Sequence, residues 1–194
     1  GFDGVEIHGA NGYLLDQFLT AHTNLRTDAW GGDTAGRLRV ILEVIKAVRA
    51  RVGQDIPVGI RISQGKVNDF HHKWANGEED ARTVFTLLAA SGVDYIHLTE
   101  YEAWKPAFAD NPLSLVALAR KFAPGVTLIA NGSLHQVPEA ELSLQQGADL
   151  IALGRGALAN HDWPERVRQG EPLRDFNRDI LGPIADIKES ELPS

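Results

Sequence analysis

The chain contains no cysteine and no methionine in its 194 residues. Without cysteine it forms no disulfide, carries no thiol nucleophile and offers no thiolate to zinc or to an iron–sulfur cluster. That composition fits a reducing compartment, and the cytoplasm is the expected location. Long apolar runs are also missing. None reaches the about 18 residues that a membrane-spanning helix needs, and the opening residues do not read as a signal peptide, so none is expected here. Positive charge is in deficit, 19 Lys and Arg against 26 Asp and Glu, for a formal net charge of −7. Such an acidic chain is a poor partner for polyanions, so neither nucleic acid nor an anionic membrane surface is expected to bind it. No initiating methionine precedes Gly1-Phe2-Asp3-Gly4, which leads straight into an apolar run. A piece of a longer chain is expected on that ground.

Hydrophobic residues make up 43% and charged residues 23%, enough to bury one sizeable core and to argue against disorder. A short repeat organises the chain. Gly1-Phe2-Asp3-Gly4-Val5-Glu6-Ile7, Gly92-Val93-Asp94-Tyr95-Ile96-His97-Leu98 and Gly147-Ala148-Asp149-Leu150-Ile151-Ala152-Leu153 share Gly-x-Asp followed by Val, Ile and Leu. Each reads as a helix-ending glycine that feeds a buried strand. Two further strand-like runs are Pro57 to Ile62 and Val126 to Ala130. Between them lie helical periodicities over 35–52, 78–90, 113–122 and 138–146, the first marked by Leu38, Ile41, Leu42, Ile45 and Val48. Short helices are expected from Gly156 to Gln169.

Strands alternating with helices predict a parallel sheet in a single α/β domain over residues 1–194. Both a doubly wound sheet and part of a (β/α)₈ barrel satisfy that order. Five units are too few for a closed barrel, and His8-Gly9-Ala10-Asn11-Gly12-Tyr13 lacks the G-x-G-x-x-G of a dinucleotide fold. Polar residues gather just after the strands, which is the functional face in both architectures.

After the first strand, His8, Asn11 and Tyr13 offer hydrogen bonds to a carbonyl and one phenolic proton donor. A strand-end histidine with its own partners and a packing tyrosine explain the same residues. Arg61 lies between Ile60 and Ile62. A buried guanidinium there either forms a salt bridge or meets an anionic ligand. Asn131-Gly132-Ser133 and Gly154-Arg155-Gly156 end the last two strands. Glycine turns expose N–H groups and Arg155 adds charge, together a phosphate-binding pattern. His71-His72 reads as a solvated loop. Glu6 and His8 share one side of a strand without an evident third metal ligand, so no metal is expected. Trp104-Lys105-Pro106 either walls a pocket or packs in a loop.

Taken together, these residues resemble the old yellow enzymes, the NADH:flavin oxidoreductases. Gly1 to Leu15, Gln17-Phe18-Leu19, Asn24, Arg26-Thr27-Asp28, Gly31-Gly32 and Arg37 follow the family's strand-four signature in register. Val58 to Ser63, Asn131-Gly132 and Leu153-Gly154-Arg155 extend the likeness along the chain. Trp30 stands where tyrosine is usual, and Asp33-Thr34-Ala35-Gly36 replaces a more polar turn. Both departures bear on loop structure and helix capping rather than on chemistry.

The resemblance implies strands four to eight of an FMN-binding (β/α)₈ TIM barrel, its C-terminal portion. It implies an FMN-dependent ene-reductase that uses NADH or NADPH to reduce the C=C bond of α,β-unsaturated carbonyl compounds. His8 and Asn11 would hold the carbonyl oxygen, reduced flavin N5 would deliver hydride to the β carbon, and Tyr13 would protonate the α carbon. Arg61 would face flavin N1 and O2, Gly132, Gly154 and Arg155 would hold the FMN phosphate, and Asn131 would be a further cofactor-binding residue. The simple FMN branch fits better than the branch with an iron–sulfur cluster. Alternatives are another FMN barrel oxidoreductase, such as one acting on dihydropyrimidines, and a non-catalytic half-barrel. Homo-oligomerisation, or pairing with the missing barrel half, is expected.

Overall fold

A computed structural model of the chain describes residues 1–189. In chain order the elements are β1 (Val5–Asn11), α1 (Leu14–Leu19), α2 (Thr34–Val52), β2 (Val58–Lys66), α3 (Glu78–Ala89) and β3 (Tyr95–Thr99). There follow β4 (Pro106–Phe108), β5 (Asn111–Ser114), α4 (Leu115–Phe122), β6 (Thr127–Asn131), α5 (Val137–Gln145), β7 (Leu150–Ala152), α6 (Arg155–Ala159) and α7 (Trp163–Gln169). Five strands form one parallel sheet in the order β1-β2-β3-β6-β7.

Each strand of that sheet lies beside its predecessor, and the order never reverses. A doubly wound sheet reverses at its switch point, so this is a partial barrel. The period-2 alternation of the strands separates two faces. Ile60, Ile62, Ile96, Leu98, Leu128 and Ala130 are buried and belong to the same core as Leu38, Ile41 and Ile45 of α2, Val84, Phe85 and Leu88 of α3, and Leu115 and Leu118 of α4. Burying one such aliphatic side chain contributes about 1.5–3 kcal/mol. Shortening Ile60 or Ile62 to alanine would cost about 2–5 kcal/mol.

The other face is polar along one register. His8 lies opposite Arg61, Arg61 opposite His97, and Thr99 opposite Asn131. The sequence alternation thus places every strand-end polar residue singled out above on this face or at its upper rim.

The Gly-x-Asp repeat closes the lower ends of the strands. One oxygen of the Asp94 carboxylate accepts the Val58 N–H at 2.7 Å and pairs with Arg49, which also donates to the Gly92 carbonyl. Asp149 does the same two strands further on, accepting from Leu128 N at 2.7 Å and from Arg120 Nη2 at 2.6 Å. In its second and third copies the repeat is therefore a device that fixes register, since Asp94 and Asp149 each reach back to the start of the preceding strand.

Three local differences have physical reasons. β1 continues to Asn11 through an irregularity after Gly9, and β2 continues to Lys66, because the two strands keep pairing beyond their apolar stretches. An antiparallel hairpin, β4–β5, occupies the segment read as a loop. Pro106, Asn111 and Pro112 carry little strand propensity, so no sequence signal marks it. Helix α4 begins at Leu115 rather than 113 because the Ser114 hydroxyl accepts the Ala117 N–H at 3.2 Å and caps it.

Arg37 is buried. Its guanidinium donates to Leu19 O, Gly32 O and Thr34 Oγ1 and lies 3.8 Å from Asp80. Asp33 caps α2 by accepting from Gly36 N at 2.8 Å. The stretch from Arg26 to Arg37 thus ties α1 to α2 and α3 and takes no part in the polar face.

Candidate functional site

The site lies at the C-terminal ends of the parallel strands. A cavity of about 290 Å³ opens there, lined among others by Asn11, Asn131, Gly132, Gly154 and Arg155. That volume stands at the low end of small-molecule pockets, which run from roughly 300 Å³ upward. The lining draws on β1, β6 and β7, so the cavity exists only once the sheet register is set.

Asn11 ends β1 in a left-handed conformation, φ +63°. This conformation is uncommon for a residue with a side chain and is tolerated best by asparagine and aspartate. The Asn11 N–H donates to Ser63 Oγ at 2.7 Å, and its carbonyl accepts from Val67 N at 3.1 Å. The turn brings Tyr13 back beside His8, with ring centroids 5.3 Å apart and planes tilted by 48°. Both rings are solvent-accessible, Tyr13 at 53%. His8, Asn11 and Tyr13 therefore share one edge of the site, with Asn11 reaching the cavity and the two rings beside it.

Arg61 projects from the middle of β2. Its Nη2 donates to Thr99 Oγ1 at 3.1 Å and to Asn131 Oδ1 at 3.0 Å. Thr99 in turn donates to Asn131 Oδ1 at 2.6 Å, and Asn131 Nδ2 donates to Ala152 O at 2.9 Å. This chain crosses four adjacent strands. Among the described residues Arg61 forms no salt bridge, and its buried Nε has no partner. A cationic group held this way through Nη2 alone, with its buried Nε–H unused, suits an anionic or carbonyl-bearing ligand.

Gly132, at φ +137°, is buried where a Cβ would stand 1.9 Å from the Glu100 carbonyl oxygen, so only glycine fits. A Cβ on Gly154 would meet nothing within 4 Å, which leaves room above that turn for a bulky group. Arg155 is exposed at the start of α6. That helix has five residues, so its dipole is small and the Arg155 charge carries the electrostatics at this end.

Beneath these groups lies His97, which the strand-end reading passed over. Its Nδ1 meets Glu6 Oε2 at 2.9 Å, while its buried Nε2 has no partner. Burial pushes its pKa below the ordinary 6.5, with Glu6 opposing and Arg61 and His8 adding to the shift. Thr99 and Ser63 were also missed. Both stand where an apolar strand ends on a polar residue, the signal that singled out Asn131.

Other candidates are structural. His71 is exposed, and His72 meets Gln64 O through Nδ1 at 2.9 Å. Glu6 and His8 share the exposed face of β1, and no group of three or more metal-ligating side chains occurs among the described residues. Trp104 packs against the core, and its carbonyl accepts from Gln146. No helix among those residues is long and apolar enough to cross a membrane.

Comparison with known proteins adds to this geometry. A family model described as "NADH:flavin oxidoreductase / NADH oxidase family" matches residues 1–174. A putative 12-oxophytodienoate reductase 10 of Oryza sativa subsp. japonica is 39% identical over 209 residues, covering 99% of this chain and 65% of that protein. An NADH:fumarate oxidoreductase of Klebsiella pneumoniae is 36% identical over 186 residues, 91% of this chain and 20% of that protein. The solved structure of the old yellow enzyme homologue from Zymomonas mobilis superposes with a TM-score of 0.78 at 29% identity, over 92% of this chain and 50% of that one. The chain thus spans half of that structure, and between a fifth and about two thirds of these curated relatives.

Proposed function

Because this chain belongs to the NADH:flavin oxidoreductase / NADH oxidase family, we propose that it supplies the substrate-activating and phosphate-holding part of an FMN-dependent ene-reductase. The observation that carries this reading is the continuous polar rim. His8, Asn11 and Tyr13 stand at one edge, Arg61 is held open-handed in the middle, and Gly132, Gly154 and Arg155 frame the cavity at the other edge.

The residues fit the cofactor. Arg61 has a buried N–H without a partner, the Gly154 turn has open space above it, and Arg155 adds positive charge beside that space. Gly132, Gly154 and Arg155 would hold the phosphate, and Arg61 would face the electron-rich edge of the ring system. Asn131 would act through Arg61, since both polar atoms of its side chain are engaged within the chain. When bound, FMN supplies the hydride transfer that links NADH or NADPH to the substrate.

His8 and Asn11 would donate hydrogen bonds to the carbonyl oxygen of an α,β-unsaturated substrate. Those bonds strengthen as the oxygen gains enolate character, so they favour the transition state over the ground state. Tyr13 keeps a phenolic proton available beside them, where it would protonate the α carbon.

The test is titration of the holoenzyme with a phenol, whose oxygen mimics the enolate. In His8→Ala and in Asn11→Ala, each lost charge-assisted hydrogen bond should weaken phenol binding by about 1.5–3 kcal/mol. Unchanged titrations in both variants would remove these residues from the site.

A further inference from the structure

The polar turn that carries Asn11 and Tyr13 is held by a buried ion pair some fifty residues apart in sequence. Lys66, the last residue of β2, donates through Nζ to Asp16 Oδ1 at 2.8 Å and to Oδ2 at 2.7 Å. The Asp16 side chain is fully buried and that of Lys66 is 7% exposed. Asp16 Oδ2 also accepts the Gly12 N–H at 2.6 Å, and Oδ1 accepts from Thr20 Oγ1 at 3.2 Å. Gly12 adopts φ +83°, and a Cβ placed on it would lie 3.4 Å from Lys66 Cβ. The turn therefore rests on the Lys66 stem while its N–H is tied to the Asp16 carboxylate.

Two consecutive left-handed residues, Asn11 and Gly12, are held only where their surroundings over-determine them. Three of the anchors come from β2, from the residue that follows it, or from α1: Ser63 Oγ on the Asn11 N–H, Val67 N–H on the Asn11 carbonyl, and Asp16 on the Gly12 N–H. The third depends on charge. A buried carboxylate that loses its counter-ion protonates or turns toward water, and in either case its bond to Gly12 weakens.

We propose that Lys66, acting through Asp16, is a positioning residue for the site. It fixes the Asn11–Gly12 turn so that Asn11 and Tyr13 address the same bound oxygen-bearing substrate. This inference rests on the functional reading above. It adds to that reading a residue that touches neither substrate nor cofactor.

The experiment compares Lys66→Met, Lys66→Arg and, as a control for plain destabilisation, Asp149→Asn at the opposite end of the sheet, all in the holoenzyme. The first readout is hydrogen exchange at the Gly12 amide, which needs neither flavin nor substrate. Lys66→Met should accelerate that amide by at least about tenfold relative to amides of β3, whereas Lys66→Arg and Asp149→Asn should not. The second readout is phenol titration, in which Lys66→Met should raise the dissociation constant by at least about tenfold with FMN affinity unchanged. Lys66→Arg should recover most of that loss. Gly12 exchange in Lys66→Met no faster than in Asp149→Asn would overturn the proposal. So would an unchanged phenol constant alongside a lowered melting temperature. Where Lys66→Met does not fold, Lys66→Gln takes its place under the same criteria. If the unsubstituted holoenzyme binds no phenol, the functional reading fails, and the exchange result still decides whether Lys66 holds the turn.

Discussion

Arg61 and Asn131 meet across an intervening strand, guanidinium Nη2 to amide Oδ1 at 3.0 Å, although they lie 70 positions apart in sequence. Thr99, on the strand between them, donates to the same oxygen. Replacing Asn131 with alanine removes the acceptor that both groups share and leaves the half-buried Arg61 to swing within its pocket. FMN affinity should fall by about 10–100-fold in Asn131→Ala, read by flavin fluorescence on dilution, with a smaller loss in Thr99→Val. Equal affinity in Asn131→Ala and the parent would show that the cross-sheet chain does not orient Arg61 for the ligand.

Tyr13 is half-exposed beside His8 and carries a phenolic proton at the site edge. Tyr13→Phe keeps the ring and deletes the proton. Reoxidation of the reduced enzyme by a cyclohexenone-like substrate should slow by about 10²–10⁴-fold, while reduction by the nicotinamide stays as it was. Stopped-flow traces that slow equally in both half-reactions would assign the ring to packing instead.

His97 gives the fold a pH dependence of definite sign. Its folded pKa is depressed, chiefly by burial, although the hydrogen bond to the Glu6 carboxylate opposes that; Arg61 and His8 also face it. Below the ordinary 6.5 the unfolded chain takes up a proton that the folded chain refuses, so stability is lost as pH falls from there toward the folded value. Asp94 and Asp149 add a second, more acidic window. Backbone N–H groups hold their pKa values below 3.8, so their contribution disappears as pH drops through the folded values. Denaturant midpoints should therefore decline in two stages. In His97→Gln the upper stage should vanish, and its persistence there would point to a different group.

The edges of the sheet give an association prediction. Among the described residues, β1 pairs only with β2, and β7 pairs only with β6. Beside those edges, Phe2 is 95% exposed and Leu150 54%. Open parallel edges next to uncovered apolar side chains template further pairing. Residues 1–194 expressed alone should self-associate and hold FMN weakly, as measured by light scattering and by flavin content. A stable monomer with stoichiometric FMN would mean that some arrangement of the chain covers both edges.

Much of the site was legible before the structure because a strand exposes its chemistry with period two. Asn131 and Arg61 could be singled out as polar residues in or just after apolar runs, and the glycine turns at Gly132 and Gly154 mark where backbone meets ligand. The family likeness named roles that spacing alone left open for His8 and Tyr13. Thr99 and Ser63 obey the same rule, but neither is directly followed by a glycine turn of the kind that marks Asn131.

The sequence by itself determined the alternation of strands and helices, the apolar face that packs under α2, α3 and α4, and the polar ends of the strands. These follow from local periodicity, which is written in neighbouring residues. Periodicity alone left a partial barrel and a doubly wound sheet open; the family resemblance implied the barrel, and the sequential strand order of the tertiary structure bears that out. Only the tertiary structure revealed that the Gly-x-Asp repeat locks register through Arg49 and Arg120. Pairings such as Arg61 with Asn131 and Lys66 with Asp16 arise from register between strands and from the packing of α1 on β2. Those distances depend on how far apart elements settle in space, and no spacing along the chain encodes them.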